Sequence, residues 1–137
     1  MFSDLFNFEG INWWTLLGGI GLNFIITMMS SIGGAYLAQN EGTAAFYKNF
    51  GSPLMILVIF VGCVLAGFIT GKIADSVPVK HAFISSLGAV APFLFLAITT
   101  FNPIAFMMAA VAVAGNLNGG RLAIPRPRHT PPPNREQ

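Results

Sequence analysis

Four apolar runs, residues 14–38, 53–73, 81–100 and 103–120, contain a single lysine, Lys72, and no acidic residue. At 1.5 Å per residue, each of the first three is long enough to cross roughly 30 Å of hydrocarbon. The fourth has a clean apolar core, "PIAFMMAAVAVA", that would reach only about 18 Å by the same rise. It must therefore continue through "GNLNGG" to cross. A re-entrant half-helix is the alternative, and it would send the arginine-rich tail to the opposite side. The expected fold is thus an all-α integral membrane protein, a four-transmembrane-helix bundle of two hairpins over residues 14–120. An interfacial amphipathic segment (1–13) precedes it and an extended, basic, proline-rich tail (121–137) follows.

Composition agrees with this reading. Only 9% of the 137 residues are charged and 54% are hydrophobic, against roughly 25% charged in a soluble domain. Cys63 is the single cysteine, which excludes an intrachain disulfide framework and a cysteine metal cluster. A formal charge of +2 is too small to argue for nucleic acid, and the basic residues flank apolar spans, where anionic lipid is the nearer counter-charge. The opening "MFSDLFNFEG" carries Asp4 and Glu9 and lacks the basic start of a secretory signal, so the first helix is expected to be a retained anchor. Phe2, Leu5, Phe6, Trp13 and Trp14 recur at near-helical spacing, with Ser3 as an N-cap, as expected for a segment in the headgroup layer.

If the helices alternate, Lys72, Lys80, Arg121, Arg126, Arg128 and Arg135 fall on one side and Lys48 alone on the other. Basic residues in short loops are held on the cytoplasmic side, so both termini are expected inside, in a cytoplasmic (inner) membrane. Lys72, Lys80, Arg121, Arg126 and Arg128 are then the candidate lipid-headgroup contacts. In the outer loop, "QNEGTAAFYKNFGSP", a short helix from Thr43 would rest Phe46, Tyr47 and Phe50 on the outer surface. Ser52-Pro53 and Asn102-Pro103 suit the starts of the second and fourth helices. "SSIGGA" at 30–35 and "SSLGAV" at 85–90 hint at related hairpins.

The second span is stripped to small side chains along one side. Gly62, Ala66, Thr70 and Ala74 form one row, and Cys63, Gly67 and Gly71 the row beside it. Lipid tails are as apolar as leucine, so helices in a bilayer associate through close backbone approach, and small residues four apart mark a contact face. The first span carries a comparable row in Gly19, Asn23, Thr27, Ser31 and Ala35. The third is small only in its first half, Ala82 to Ala89. The inner halves of spans two and three are therefore expected to pack closely and to splay toward the outside. Pro92 removes a hydrogen bond to Gly88, which predicts a kink at that level, with a lipid or quinone niche as the functional alternative to a simple bend.

Chemistry is sparse. The expected intramembrane polar residues are neutral: Asn23, Thr27, Ser30, Ser31, Ser85, Ser86, Thr99 and Thr100. Proton and ion pathways need an acid, a base or a histidine in the bundle interior. Asn23 is expected to hydrogen-bond a neighbouring helix. His81 opens the third span at the interface, where haem or chlorophyll-type ligation is the less favoured reading, and His129 lies in the tail. "GGIG" at 18–21 lies within a span and lacks the preceding strand of a nucleotide loop. "AGNLNGGR" at 114–121 reads as a helix end, with Gly119 or Gly120 as its left-handed cap and Arg121 at the C-terminal dipole. The expectation is no catalytic site, metal or cofactor. The expected function is a non-catalytic accessory or scaffolding subunit of a larger integral-membrane complex, of a bacterial respiratory or photosynthetic kind. The expected partners are membrane lipids and larger membrane subunits or copies of itself; the alternative is a self-associating small channel, holin or transporter.

Overall fold

The structure, a computed structural model, describes residues 9–74 and 76–125. These residues form helices and turns, with no strand among them. In chain order the helices are α1 (Trp13–Gln39), α2 (Ala44–Ile73), α3 (Pro78–Ser85), α4 (Leu87–Thr100) and α5 (Pro103–Leu122). With α3 and α4 taken as one interrupted rod, four helices are long and apolar enough to cross a membrane. The expected interfacial segment lies largely outside the described residues, as do Arg126, Arg128, Arg135, His129 and most of the tail.

Two helix starts are capped by a side chain. The Asn12 side chain accepts from the amides of Trp14 and Thr15 and so caps α1. Asn102 accepts from Ile104, and Pro103 follows where its missing N–H costs nothing. Trp13 and Trp14 are the first residues of α1, and both are exposed.

Three boundaries differ from expectation. α2 begins at Ala44 and runs through Pro53 without a break, for 30 residues or about 45 Å. Pro53 frees the carbonyl of Asn49, an exposed residue in the first turns of the helix. Tyr47, within α2, is half-buried. It fills a notch between helices: a methyl group added at Gly34 would lie 2.8 Å from its hydroxyl, and one at Gly51 would lie 2.9 Å from its ring. Phe46 and Phe50 do face outward, with ring centroids 5.3 Å apart.

The third span breaks at Ser86 and not at Gly88. Ser86 donates its amide to the carbonyls of Ala82 and Phe83, a tightened turn that closes α3, and its own carbonyl accepts from Ala89 and Val90 to start α4. Pro92 then sits inside α4, downstream of the break. α5 stays helical to Leu122, so Gly119 and Gly120 lie within the helix and Ala123 is its cap. Its 20 residues give about 30 Å, a full crossing by length.

The core is unusually small in side-chain volume. Ile59, Cys63, Ala89, Phe93, Ala109 and Ala112 form its main cluster, with Val90 and Met108 packed against it. Long side chains such as Leu17, Ile25, Leu57, Leu65, Phe95 and Ile98 point outward. A soluble bundle has the reverse distribution, because water drives large apolar groups inward.

Candidate functional site

The two small rows of α2 face two different helices. Gly62, Ala66 and Thr70 turn toward α1: a methyl group at Gly62 would lie 2.6 Å from Ile26, and one at Gly19 would lie 2.7 Å from Thr70 and 2.8 Å from Ser85. Cys63, Gly67 and Gly71 turn toward α5. There a methyl group at Gly67 would collide with the Asn116 backbone, and one at Gly71 would lie 2.7 Å from Ala123. α5 answers in kind. Gly115 lies against the Phe60 carbonyl and Cys63, and Gly119 against the backbone from Val64 to Phe68. The closest partner of α2 is thus α5, not the third span, which α2 meets at its end where Gly71 approaches Pro78.

The "GNLNGG" run is therefore a packing face, which the helix-end reading missed. One signal was available: Ala105, Ala109, Ala112, Asn116 and Gly119 recur at helical spacing, and all five are buried. A third close approach joins α1 to the start of α4, where a methyl group at Gly88 would strike the Ile20 carbonyl.

Close backbone approach brings two amides together at the centre. Asn23 of α1 and Asn116 of α5 are both fully buried. Asn23 Nδ2 donates to Asn116 Oδ1 at 3.1 Å, and Asn116 Nδ2 donates back to Asn23 Oδ1 at 2.8 Å. The remaining amide hydrogens go to carbonyls of each residue's own helix, Gly19 at 3.0 Å and Ala112 at 2.9 Å. Ser85 Oγ lies 3.4 Å from Asn23 Nδ2 and donates to the Ala82 carbonyl. Thr27 donates to the Asn23 carbonyl and Ser31 to that of Thr27, though Ser31 itself is exposed. Asn23 was legible as a bonding amide; its partner was not.

Among the described residues, the Thr70 hydroxyl is the one buried side-chain polar atom without a hydrogen bond. No group of three or more His, Cys, Asp and Glu side chains converges among them. The centre is a closed, neutral amide pair. It can fix the register of α1 against α5, and it offers no proton donor or acceptor in the acid–base sense.

A second polar cluster lies at the end where α2 stops and α3 begins. His81 is fully buried and its Nε2 accepts from the Asn12 amide at 2.9 Å. Lys80 is 9% exposed, and its ammonium donates to the Glu9 carbonyl at 3.1 Å. Lys72 is exposed and lies over the Phe68 ring, 5.7 Å from its centre, and Arg121 is exposed in the last turn of α5.

Two apolar grooves flank the N-terminal half of α1. One, of about 370 Å³, runs between Trp14, Gly18 and Leu22 of α1 and Ile69 and Ile73 of α2. The other, of about 530 Å³, lies between Gly21 and Phe24 of α1 and Ala91, Pro92 and Phe95 of α4. Comparison with protein-family models, with curated proteins and with solved structures finds no match to this chain.

Proposed function

We propose that the protein is a multi-pass component of the cytoplasmic membrane that serves as a non-catalytic accessory or scaffolding subunit of a larger membrane assembly. One observation carries this reading. Beyond its own helix backbone and chain neighbours, a methyl group at Gly18, Gly21 or Gly33 of α1 would have no atom within 4 Å, whereas one at each glycine of α5 would lie within 3 Å of an atom of another helix. Bare backbone exposed to lipid gains nothing for the monomer, and small residues in a bilayer favour close approach by another helix. Lys72, Lys80 and Arg121 share one end of the bundle with the lead into α1, and Lys48 stands at the other. That distribution supports both termini on the cytoplasmic side, with each pair of neighbouring spans forming a hairpin.

The alternative, a channel or holin lined by copies of Asn23, Thr27 and Ser31, is weakened by burial. Asn23 and Thr27 are enclosed within a single chain and bonded there, so they are not available to a shared axis. Mild-detergent purification followed by native mass measurement tests the reading. Fixed stoichiometry with larger membrane subunits supports it, and a closed homo-oligomer that conducts ions would replace it.

A further inference from the structure

Three hydrogen bonds tie the lead into α1 to Ser76 of the preceding loop and to Lys80 and His81 of α3, and one of them uses a titratable lone pair. The Ser76 hydroxyl donates to the Gly10 carbonyl at 2.8 Å, Lys80 Nζ to the Glu9 carbonyl at 3.1 Å, and the Asn12 amide to His81 Nε2 at 2.9 Å. Because Nε2 accepts, the proton of the neutral ring is on Nδ1, which lies 3.2 Å from the Val77 carbonyl and donates to it. The ring has no exposed surface, so no water stands ready to take over either bond.

We propose that this arrangement is a proton-sensitive clasp: acidification protonates His81 and releases residues 9–12 from α3. A proton on Nε2 occupies the lone pair that receives the Asn12 N–H and leaves two donors facing each other. The bound proton and the closed clasp therefore exclude one another. The clasp is complete while the ring is neutral and is lost once the ring carries the second proton.

Cations gather at this end of the bundle. Lys80 is a buried cation one residue away, and both side chains sit in the first turns of α3, at the positive end of its peptide dipoles. α2 brings Lys72 to this end and α5 brings Arg121. Glu9, on the lead itself, is the acidic group; Asp75 lies outside the described residues. α4 has no titratable side chain, and α1 brings none to this end. Val77, a β-branched residue, is held at φ 45°, a left-handed conformation disfavoured by its Cβ.

The two tryptophans of the chain, Trp13 and Trp14, immediately follow Asn12 and report on the clasp. Full-length protein in lipid nanodiscs would be titrated between about pH 8 and pH 5, the window in which histidine changes charge, with collisional quenching of tryptophan emission as the readout. The expected result is a reversible rise in quenching on acidification. It should persist in His129→Gln and vanish in His81→Gln, whose amide oxygen can accept from Asn12 but cannot titrate. Nitrogen NMR of histidine-labelled wild type gives a check that needs no variant to fold: at the alkaline end His81 must be the Nδ1–H tautomer. A flat wild-type titration, an unchanged acid response in His81→Gln, or the Nε2–H tautomer would each overturn the proposal.

Discussion

α1 and α5 are both uninterrupted helices rich in glycine, yet their glycines do opposite things. In α5, Gly115, Gly119 and Gly120 lie against the backbones of α2 and α3, so that a single added carbon would strike main-chain atoms. In α1, Gly19 and Gly34 are enclosed, but Gly18, Gly21 and Gly33 face open space. Accordingly 22% of the most apolar stretch of α1 is buried, against 39% in each of the other three spans. Identical residues make a seam in one helix and a bare face in the other, and what stands opposite decides which.

Substitutions that break this contrast should fall in a definite order. The largest effect is expected at the α2–α5 seam. Gly119→Ala and Gly67→Leu force backbones apart and should cost about 3 kcal/mol or more, since overpacking a filled core costs roughly 1–3 kcal/mol even where side chains can give way. Reversible unfolding in mixed micelles measures this. Leu65→Ala, on the exposed side of the same helix, should cost far less, and the opposite ranking would show that the seam has been assigned to the wrong face.

Next comes the amide pair. Asn23→Ala and Asn116→Ala each leave one buried amide without its partner, and a double-mutant cycle should return a coupling of about 0.6–1.7 kcal/mol, the range of interhelical bonds in membranes. A coupling indistinguishable from zero would mean that the two amides do not hold each other. Thr70→Val should go the other way. It removes a buried hydroxyl that has no partner while keeping the shape of the side chain, so stability should rise by about 1 kcal/mol.

The smallest effect sharpens the comparison most. Gly18→Ala, Gly21→Ala and Gly33→Ala should leave the stability of the isolated chain within about 1 kcal/mol of wild type, with any change favourable, because alanine is the better helix former. Enlarging the same sites to leucine should leave folding intact and reduce recovery of co-purifying subunits. If Gly33→Leu unfolds the chain, α1 has no free face; if it alters neither folding nor assembly, that face serves lipid alone.

Much of the architecture was legible because apolar length and charge placement are local properties. Four apolar runs, the helix start at Asn102-Pro103, and the gathering of cations at one end need no knowledge of neighbours. Boundaries were harder where two local signals competed. Pro53 looked like a helix start, yet it is tolerated ten residues into α2 because the carbonyl it frees lies in an exposed turn. Gly119 and Gly120 looked like a helix end because glycine serves both as a cap and as a close-packing residue.

The sequence by itself determined the helical, membrane-length character of the chain, since that follows from the apolarity and reach of each segment taken alone. It also determined that α2 has a face made for contact. Only the tertiary structure decided that the two rows of that face serve α1 and α5 separately, that Asn23 pairs with Asn116, and that His81 grips the backbone of Asn12. The physical reason is that packing of small side chains and pairing of neutral amides are nearly independent of sequence distance. Any glycine can admit any backbone and any amide can bond another, so the partner is selected by the geometry of the whole bundle.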